Sequence, residues 1–274
     1  MQTPSSSSGM RSPVTVPSLR ERKNGAQKIV ALTCYDASFA ACIDAAGIDV
    51  ALVGDSLGMV VQGHASTLPV TVDQMVYHSG SVARGLRSTL LVTDMPFMSF
   101  RTIDHALATA ARLMAEGGAT MVKLEGSDWV LDVIAALVAR DVPVCAHIGL
   151  TPQSVHKLGG YRVQGKQPET ARKLLADAQR IAQAGADLLV LECVPATLAA
   201  EITRAIPIPT IGIGAGVDCD GQILVLHDLL GVTPGKRPRF SKDFLHGRDS
   251  IAAAVNAYIE DVRALRFPAA EHSY

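Results

Sequence analysis

The chain has 274 residues, 48% of them hydrophobic but only 4% aromatic, and a formal net charge of −1. This balance suits a core of Val, Leu, Ile and Ala; it excludes general attraction to polyanions and an aromatic platform for nucleic-acid bases. No apolar run approaches the roughly 18 residues of a membrane helix, so neither nucleic acid nor membrane is an expected partner.

Residues 1–13, MQTPSSSSGMRSP, lack the apolar core of a secretory signal and read as a disordered tail. Lys28–Thr33 is the first expected strand, and Asp36 is placed to cap a helix that ends at Gly47. Val50–Val53 is the second strand, and it stops abruptly at Gly54-Asp55-Ser56. A long loop to residue 71 leads to a helix over 72–84, then to a third strand, Thr89–Thr93, ending at Asp94. A helix over 103–116 and a fourth strand, Thr120–Leu124, follow, with Glu125 at its end and Ser127 as the expected cap of a helix reaching Arg140. The fifth strand, Val142–Ala146, ends at His147 and opens a second long loop, 148–167. Pro168 is well placed to start the next helix, to Ala184. Leu188–Leu191 is the sixth strand, ending at Glu192 before a short helix over 196–204. Thr210–Ile213 and Ile223–Leu226 are the seventh and eighth strands, and a last helix spans 250–265.

Strands alternating with helices argue for an α/β fold with a parallel sheet and right-handed crossovers. Eight strands favour a single-domain (βα)8 TIM barrel over residues 14–274. The weak point is the span between strands seven and eight, which has no room for a full helix. An open sheet would need a nucleotide fingerprint, and Gly212-Ile-Gly214-Ala-Gly216 is too compact to be one. The cysteines, Cys34, Cys42, Cys145, Cys193 and Cys219, have no CxxC spacing and read as buried free thiols in a reducing, cytoplasmic setting. Lys236-Arg237-Pro238-Arg239 is the densest basic cluster. It reads as a solvated loop, with a site for an anionic substrate tail as the alternative.

Asp55, Asp94, Lys123 with Glu125, His147 and Glu192 lie at or just past the carboxyl ends of different expected strands. In a parallel barrel those ends share one rim, where catalytic groups collect. One such residue could be a cap or an ion-pair partner; the set points to a site. Four carboxylates in one pocket repel, and the usual relief is a raised pKa or a cation. Oxygen ligands suit a hard ion such as Mg²⁺, which binds one or two carboxylates directly and keeps waters; zinc would want His or Cys clusters. Asp55 and Asp94 are assigned to the ion, with Glu125 in its surroundings. Such an ion would polarise a bound 2-oxo acid, and Glu192, on a separate strand beside Leu191 and Val194, is the candidate base. Lys123 would complement a substrate carboxylate or oxyanion. Its alternative, a Schiff-base lysine, is disfavoured because nearby carboxylates would keep it charged. His147 is read either as a hydrogen-bonded core residue or as a group steering substrate.

The stretch GDSLGMVVQGHASTLPVT (54–71) resembles the ketopantoate hydroxymethyltransferase family, and so do DMPF (94–97), KLEG (123–126), HIGLTPQSV (147–155), GGYRVQG (159–165), LVLECVP (189–195) and PTIGIGAG (209–216). The resemblance spans roughly Val14 to Phe244. It implies a (βα)8 barrel with Mg²⁺ on Asp55, Asp94 and Glu125, and Glu192 as proton acceptor. Substrate binding is implied for Asp55, Ser56, Asp94, Lys123 and His147. It further implies transfer of a hydroxymethyl group from 5,10-methylenetetrahydrofolate to 2-oxoisovalerate, giving ketopantoate for pantothenate synthesis, and a homo-oligomer, commonly a decamer. Loops 54–71 and 148–167 are the expected walls for the folate. Ser127 and Ala146 stand where the family usually has Gly; neither touches the carboxylates. The competing readings are a Mg²⁺-dependent lyase or mutase of the phosphoenolpyruvate barrel type, a class I aldolase, and a non-catalytic metabolite-binding barrel.

Overall fold

The computed structural model describes residues 11–274 except 26, 234 and 236. Residues 1–10 of the expected tail and Lys236 of the basic loop therefore lie outside the described residues. Eight parallel strands close into a barrel in sequence order: β1 (Ile29–Thr33), β2 (Val50–Val53), β3 (Leu90–Asp94), β4 (Met121–Glu125), β5 (Val144–Gly149), β6 (Leu188–Glu192), β7 (Thr210–Ile213) and β8 (Gly221–Leu224), with β8 returning to β1.

Side chains of a strand alternate between two faces, and here both faces are buried. Ile29, Val50, Leu52, Leu90, Val92, Met121, Cys145, Leu188, Val190 and Ile211 fill the inside of the barrel. Their neighbours, among them Val30, Ala51, Leu91, Val122, Ala146 and Leu189, face the surrounding helices. This double burial is why the strands read as continuous apolar runs.

The helices start where the local chemistry favours it. Helix α2 (Ala37–Ala46) is capped by Asp36, which accepts from the amides of Ser38 and Phe39 at 2.8 and 2.9 Å, and Gly47 ends it at φ +89°. Thr71 and Gln74 form a reciprocal capping box at the start of α4 (Val72–Gly85). Helix α5 (Ile103–Ala115) opens on Thr102, and α8 (Pro168–Gln183) on its proline.

Several boundaries differ from expectation. Ser127 caps no helix: its side chain makes no cap bond, and a 3-10 turn, Asp128–Val130, precedes α6 (Leu131–Val138). Strand β8 begins at Gly221, two residues early, and Leu226 already belongs to α10 (Leu226–Leu229). Both long loops carry a short helix, α3 (Leu57–Val60) in the first and α7 (Val155–Leu158) in the second. No helix separates β7 from β8. Helices α9 (Ala196–Ala205) and α11 (Ile251–Arg263) lie where expected.

The amino end of the barrel is sealed by a helix that the strand and helix patterning did not reveal, α1 (Val16–Glu21). Its Leu19 and the preceding Val14 join the apolar interior. Arg20, Arg22 and Lys23 then pair with Asp187, Asp49 and Asp220, which stand just before or at the starts of three strands, at 2.5, 2.9 and 2.8 Å. With that end plugged, the carboxyl rim is the open face. Among the described residues, no helix is long and apolar enough to cross a membrane.

Candidate active site

The alternation that fills the barrel with apolar side chains also aims the polar ones. Asp94 follows Val92 by two residues, Lys123 and Glu125 follow Met121 by two and four, His147 follows Cys145, and Glu192 follows Val190. All five therefore point inward at the carboxyl ends of β3, β4, β5 and β6. Asp55 arrives from the turn after β2. A Cβ at Gly54 would lie 2.7 Å from Ser56 Oγ, so glycine leaves Ser56 room to fold back onto the Tyr35 hydroxyl at 2.9 Å. Gly149 serves a second close approach: at φ +95° its Cβ position is 2.2 Å from the Glu192 carbonyl.

The expected residues form one continuous chain of contacts. The Asp55 amide donates to Asp94 Oδ2 at 2.9 Å, and Lys123 Nζ donates to Asp94 Oδ1 at 2.8 Å while lying 3.9 Å from Glu125 Oε1. His147 then stands between two carboxylates, Nδ1 3.3 Å from Glu125 and Nε2 3.3 Å from Glu192. Neither ring nitrogen has a well-aligned hydrogen-bond partner, so these are ion-pair contacts. The side chains of Asp94, Lys123, Glu125 and His147 are at most 5% exposed, whereas Glu192 reaches 14%. Glu192 is thus the carboxylate most open to the mouth.

Burial and charge set the protonation states. Burial and the Lys123 charge push the His147 pKa down, but Glu125 and Glu192 outweigh them and raise it to about 9, leaving an imidazolium at neutral pH. Burial alone would lift Glu125, yet His147 and Lys123 bring it below the usual carboxylate range. Burial disfavours charge on Lys123, and the surrounding Asp94, Glu125 and Asp55 more than restore it. Asp55 is raised well above its ordinary value by burial, then by Asp94 and Glu125. Four carboxylates against two cations leave two uncompensated negative charges when all are ionised.

That surplus and the donor set fit a hard divalent cation. Among the described residues, no three acidic, imidazole or thiol groups gather closely enough to cage an ion. Lys123 is wedged between Asp94 and Glu125 instead. Asp55 Oδ2 is bound by Gln153, while among the described residues nothing donates to Oδ1. Such an arrangement suits an ion held by one or two carboxylates that retains waters.

Three contributors escaped the sequence reading. Gln153 donates from Nε2 to Asp55 Oδ2 at 2.8 Å and from its amide to Glu125 Oε2 at 2.9 Å. Tyr35 anchors Ser56. Tyr161, half exposed in the second long loop, donates to Met59 Sδ of the first at 3.4 Å. Its phenol pKa is raised by burial and then by Glu192, Asp55 and Glu125, which places it in their field. Only the two loops' length and composition hinted at this bridge. Two arginines of the basic loop have partners: Arg237 pairs with Asp243 at 3.1 Å and Arg239 donates to the Glu271 carbonyl at 3.1 Å. Cys34 and Cys193 are buried and unpaired with any base, as packing residues would be.

Comparison with known proteins bears on the chemistry. The model of the ketopantoate hydroxymethyltransferase family matches residues 13–270. The chain is 58% identical over 264 residues to a 3-methyl-2-oxobutanoate hydroxymethyltransferase of Alkalilimnicola ehrlichii, covering 96% of this chain and 95% of that one. It is 58% identical over 261 residues to the enzyme of that name from Marinobacter nauticus, covering 95% and 98%. Among solved structures, phosphonopyruvate hydrolase superposes with a TM-score of 0.60 at 14% identity, over 79% of this chain and 83% of that one. Phosphoenolpyruvate phosphomutase from Streptomyces platensis subsp. rosaceus gives 0.59 at 14%, over 79% and 82%. Identities that low show a shared barrel and leave the reaction open; the family match, running through every rim residue described above, does not. The chain belongs to the ketopantoate hydroxymethyltransferase family.

Proposed function

We propose that this hydroxymethyltransferase converts 3-methyl-2-oxobutanoate (2-oxoisovalerate) to ketopantoate by removing the C3 proton with Glu192 and presenting the resulting carbanion to a one-carbon donor, 5,10-methylenetetrahydrofolate. The observation that carries this reading is the position of Glu192. It stands on β6, apart from the Asp55–Asp94–Lys123 group, with the most accessible carboxylate of the set.

Asp55 and Asp94, with Glu125 behind them, would hold Mg²⁺, which when bound polarises the 2-oxo group and offsets the surplus negative charge. The remaining work falls to the chain. Ser56, held by Tyr35, and the Lys123 ammonium bind the substrate carboxylate and the developing oxyanion. Glu192 accepts the C3 proton, a step for which a positioned base contributes about 10²–10⁴-fold. His147, charged and set between Glu125 and Glu192, holds the Glu192 carboxylate in place and tempers its charge. Water hydrolyses the donor's methylene group, breaking both of its C–N bonds, so that tetrahydrofolate leaves with two N–H groups and the carbon remains at the formaldehyde level. The carbanion adds to that carbon, and the alkoxide formed takes back the proton held by Glu192. The loops joined by Tyr161 and Met59 form the donor-side wall and exclude bulk water.

Deuterium exchange into C3 of 3-methyl-2-oxobutanoate, followed by NMR without any donor, tests this directly. Exchange depends on Mg²⁺ and disappears in Glu192→Gln; undiminished exchange in that variant removes Glu192 from its role.

A further inference from the structure

We infer that Gln153 is a positioning residue of this site: its side chain fixes which oxygen of Asp55 faces the reacting groups. This rests on the reading of Asp55 as a cation-holding group. Gln153 lies in the 3-10 turn Pro152–Ser154 after β5 and is 8% exposed. Its Nε2 donates to Asp55 Oδ2 at 2.8 Å and to the Met95 carbonyl at 3.0 Å, and its backbone amide donates to Glu125 Oε2 at 2.9 Å. A single residue from the β5 loop therefore ties together the ends of β2, β3 and β4.

The two acceptors settle the amide's orientation, because a carboxamide oxygen could donate to neither. With one Nε2 hydrogen spent on the Met95 carbonyl, the other can serve Asp55 only when the carboxylate plane is correctly turned. Oδ2 is thereby occupied, and Oδ1, to which nothing donates among the described residues, is the oxygen left free. Without this bond, an aspartate in a turn would rotate, and its buried Oδ2 would compete for the same cation or for Lys123. Partners standing one step behind a metal-binding carboxylate typically change metal affinity by about 10–100-fold when removed.

The test is Mg²⁺ titration of the full chain by calorimetry, combined with C3 deuterium exchange, for wild type, Gln153→Met, Gln153→Asn and Asp55→Asn. Met preserves the volume without a donor; Asn keeps the amide but falls short by a methylene. Both Gln153 variants are expected to bind Mg²⁺ about 10–100-fold more weakly and to lose exchange at limiting metal. Saturating metal restores most of it, a rescue that a purely structural role would not give. Wild-type Mg²⁺ affinity in the Gln153 variants, beside weakened binding in Asp55→Asn, overturns the inference and leaves the cation reading intact. Unchanged affinity in Asp55→Asn as well removes both. Loss of the fold in both Gln153 variants assigns the residue to the scaffold and also overturns the inference.

Discussion

Replacing Lys123 by Met keeps the aliphatic stem inside the barrel and removes the one charge that faces Asp94 and Glu125 together, at 2.8 and 3.9 Å. At an effective dielectric near 20, a unit charge pair about 4 Å apart is worth roughly 4 kcal/mol, set against several kcal/mol for desolvating each ion. The pair itself therefore nets little. Deleting one partner is different, because Asp94, Asp55 and Glu125 stay buried with less compensation; that loss is typically about 3–5 kcal/mol. Urea unfolding of the metal-free variant at pH 8 should show a deficit of this size. Two further results follow from the same cause. Mg²⁺ should stabilise Lys123→Met more than wild type, because it replaces the lost charge. The deficit should also shrink as pH falls, because burial and then its acidic neighbours raise the Asp55 pKa, and proton uptake there relieves the repulsion. A variant as stable as wild type, with an equal response to Mg²⁺, would refute the charge balance described for the rim.

Three further outcomes can be checked independently. Burial raises the Cys34, Cys145 and Cys219 thiols to about 12 and lifts Cys193 as well, so a thiol reagent at pH 8 should reach the half-buried Cys42 first and the other four only after denaturation; rapid native labelling of Cys193 would contradict this. Asp44 accepts from the Ser88 and Thr89 amides at 2.9 and 2.8 Å, bonds that outweigh burial and lower its pKa. The stability it contributes is present above its unfolded pKa and is lost as pH falls through the folded value. Asp44→Asn should therefore flatten the acid limb of the stability curve, and an unchanged limb would argue against the clamp. Asp49, fully buried, accepts the Val30 amide at 2.9 Å and pairs with Arg11 and Arg22, so Asp49→Ala should cost about 3–5 kcal/mol in urea unfolding. Because this cluster plugs the closed end of the barrel, C3 exchange per folded molecule should be unaffected.

Asp55, Asp94, Lys123, Glu125, His147 and Glu192 were legible because each interrupts or ends a short apolar run, and parallel strands put such positions on one rim whatever lies between them. The inward direction of Asp94, Lys123, Glu125, His147 and Glu192, at intervals of two from Val92, Met121, Cys145 and Val190, follows from the observed strands, whereas Asp55 comes from the turn after β2. Helix starts at Asp36 and Pro168 followed from side-chain capping and proline geometry. Ser127 looked like a comparable cap, yet its backbone, at φ −130° and ψ −89°, lies outside the extended region that capping residues adopt, and its side chain makes no cap bond.

Gln153, Tyr161 and α1 were hidden for a shared reason. Their partners lie 98, 102 and more than 160 residues away for the contacts to Asp55, Met59 and Asp187. No local pattern encodes such meetings. Sequence alone determined the kinds of groups at the rim and the strands that carry them, since backbone alternation and burial are local constraints. Closure of the barrel decided which oxygen faces which donor, which carboxylate stays most exposed, and which loop reaches across to the other, because those depend on distances between segments that only the packed core fixes.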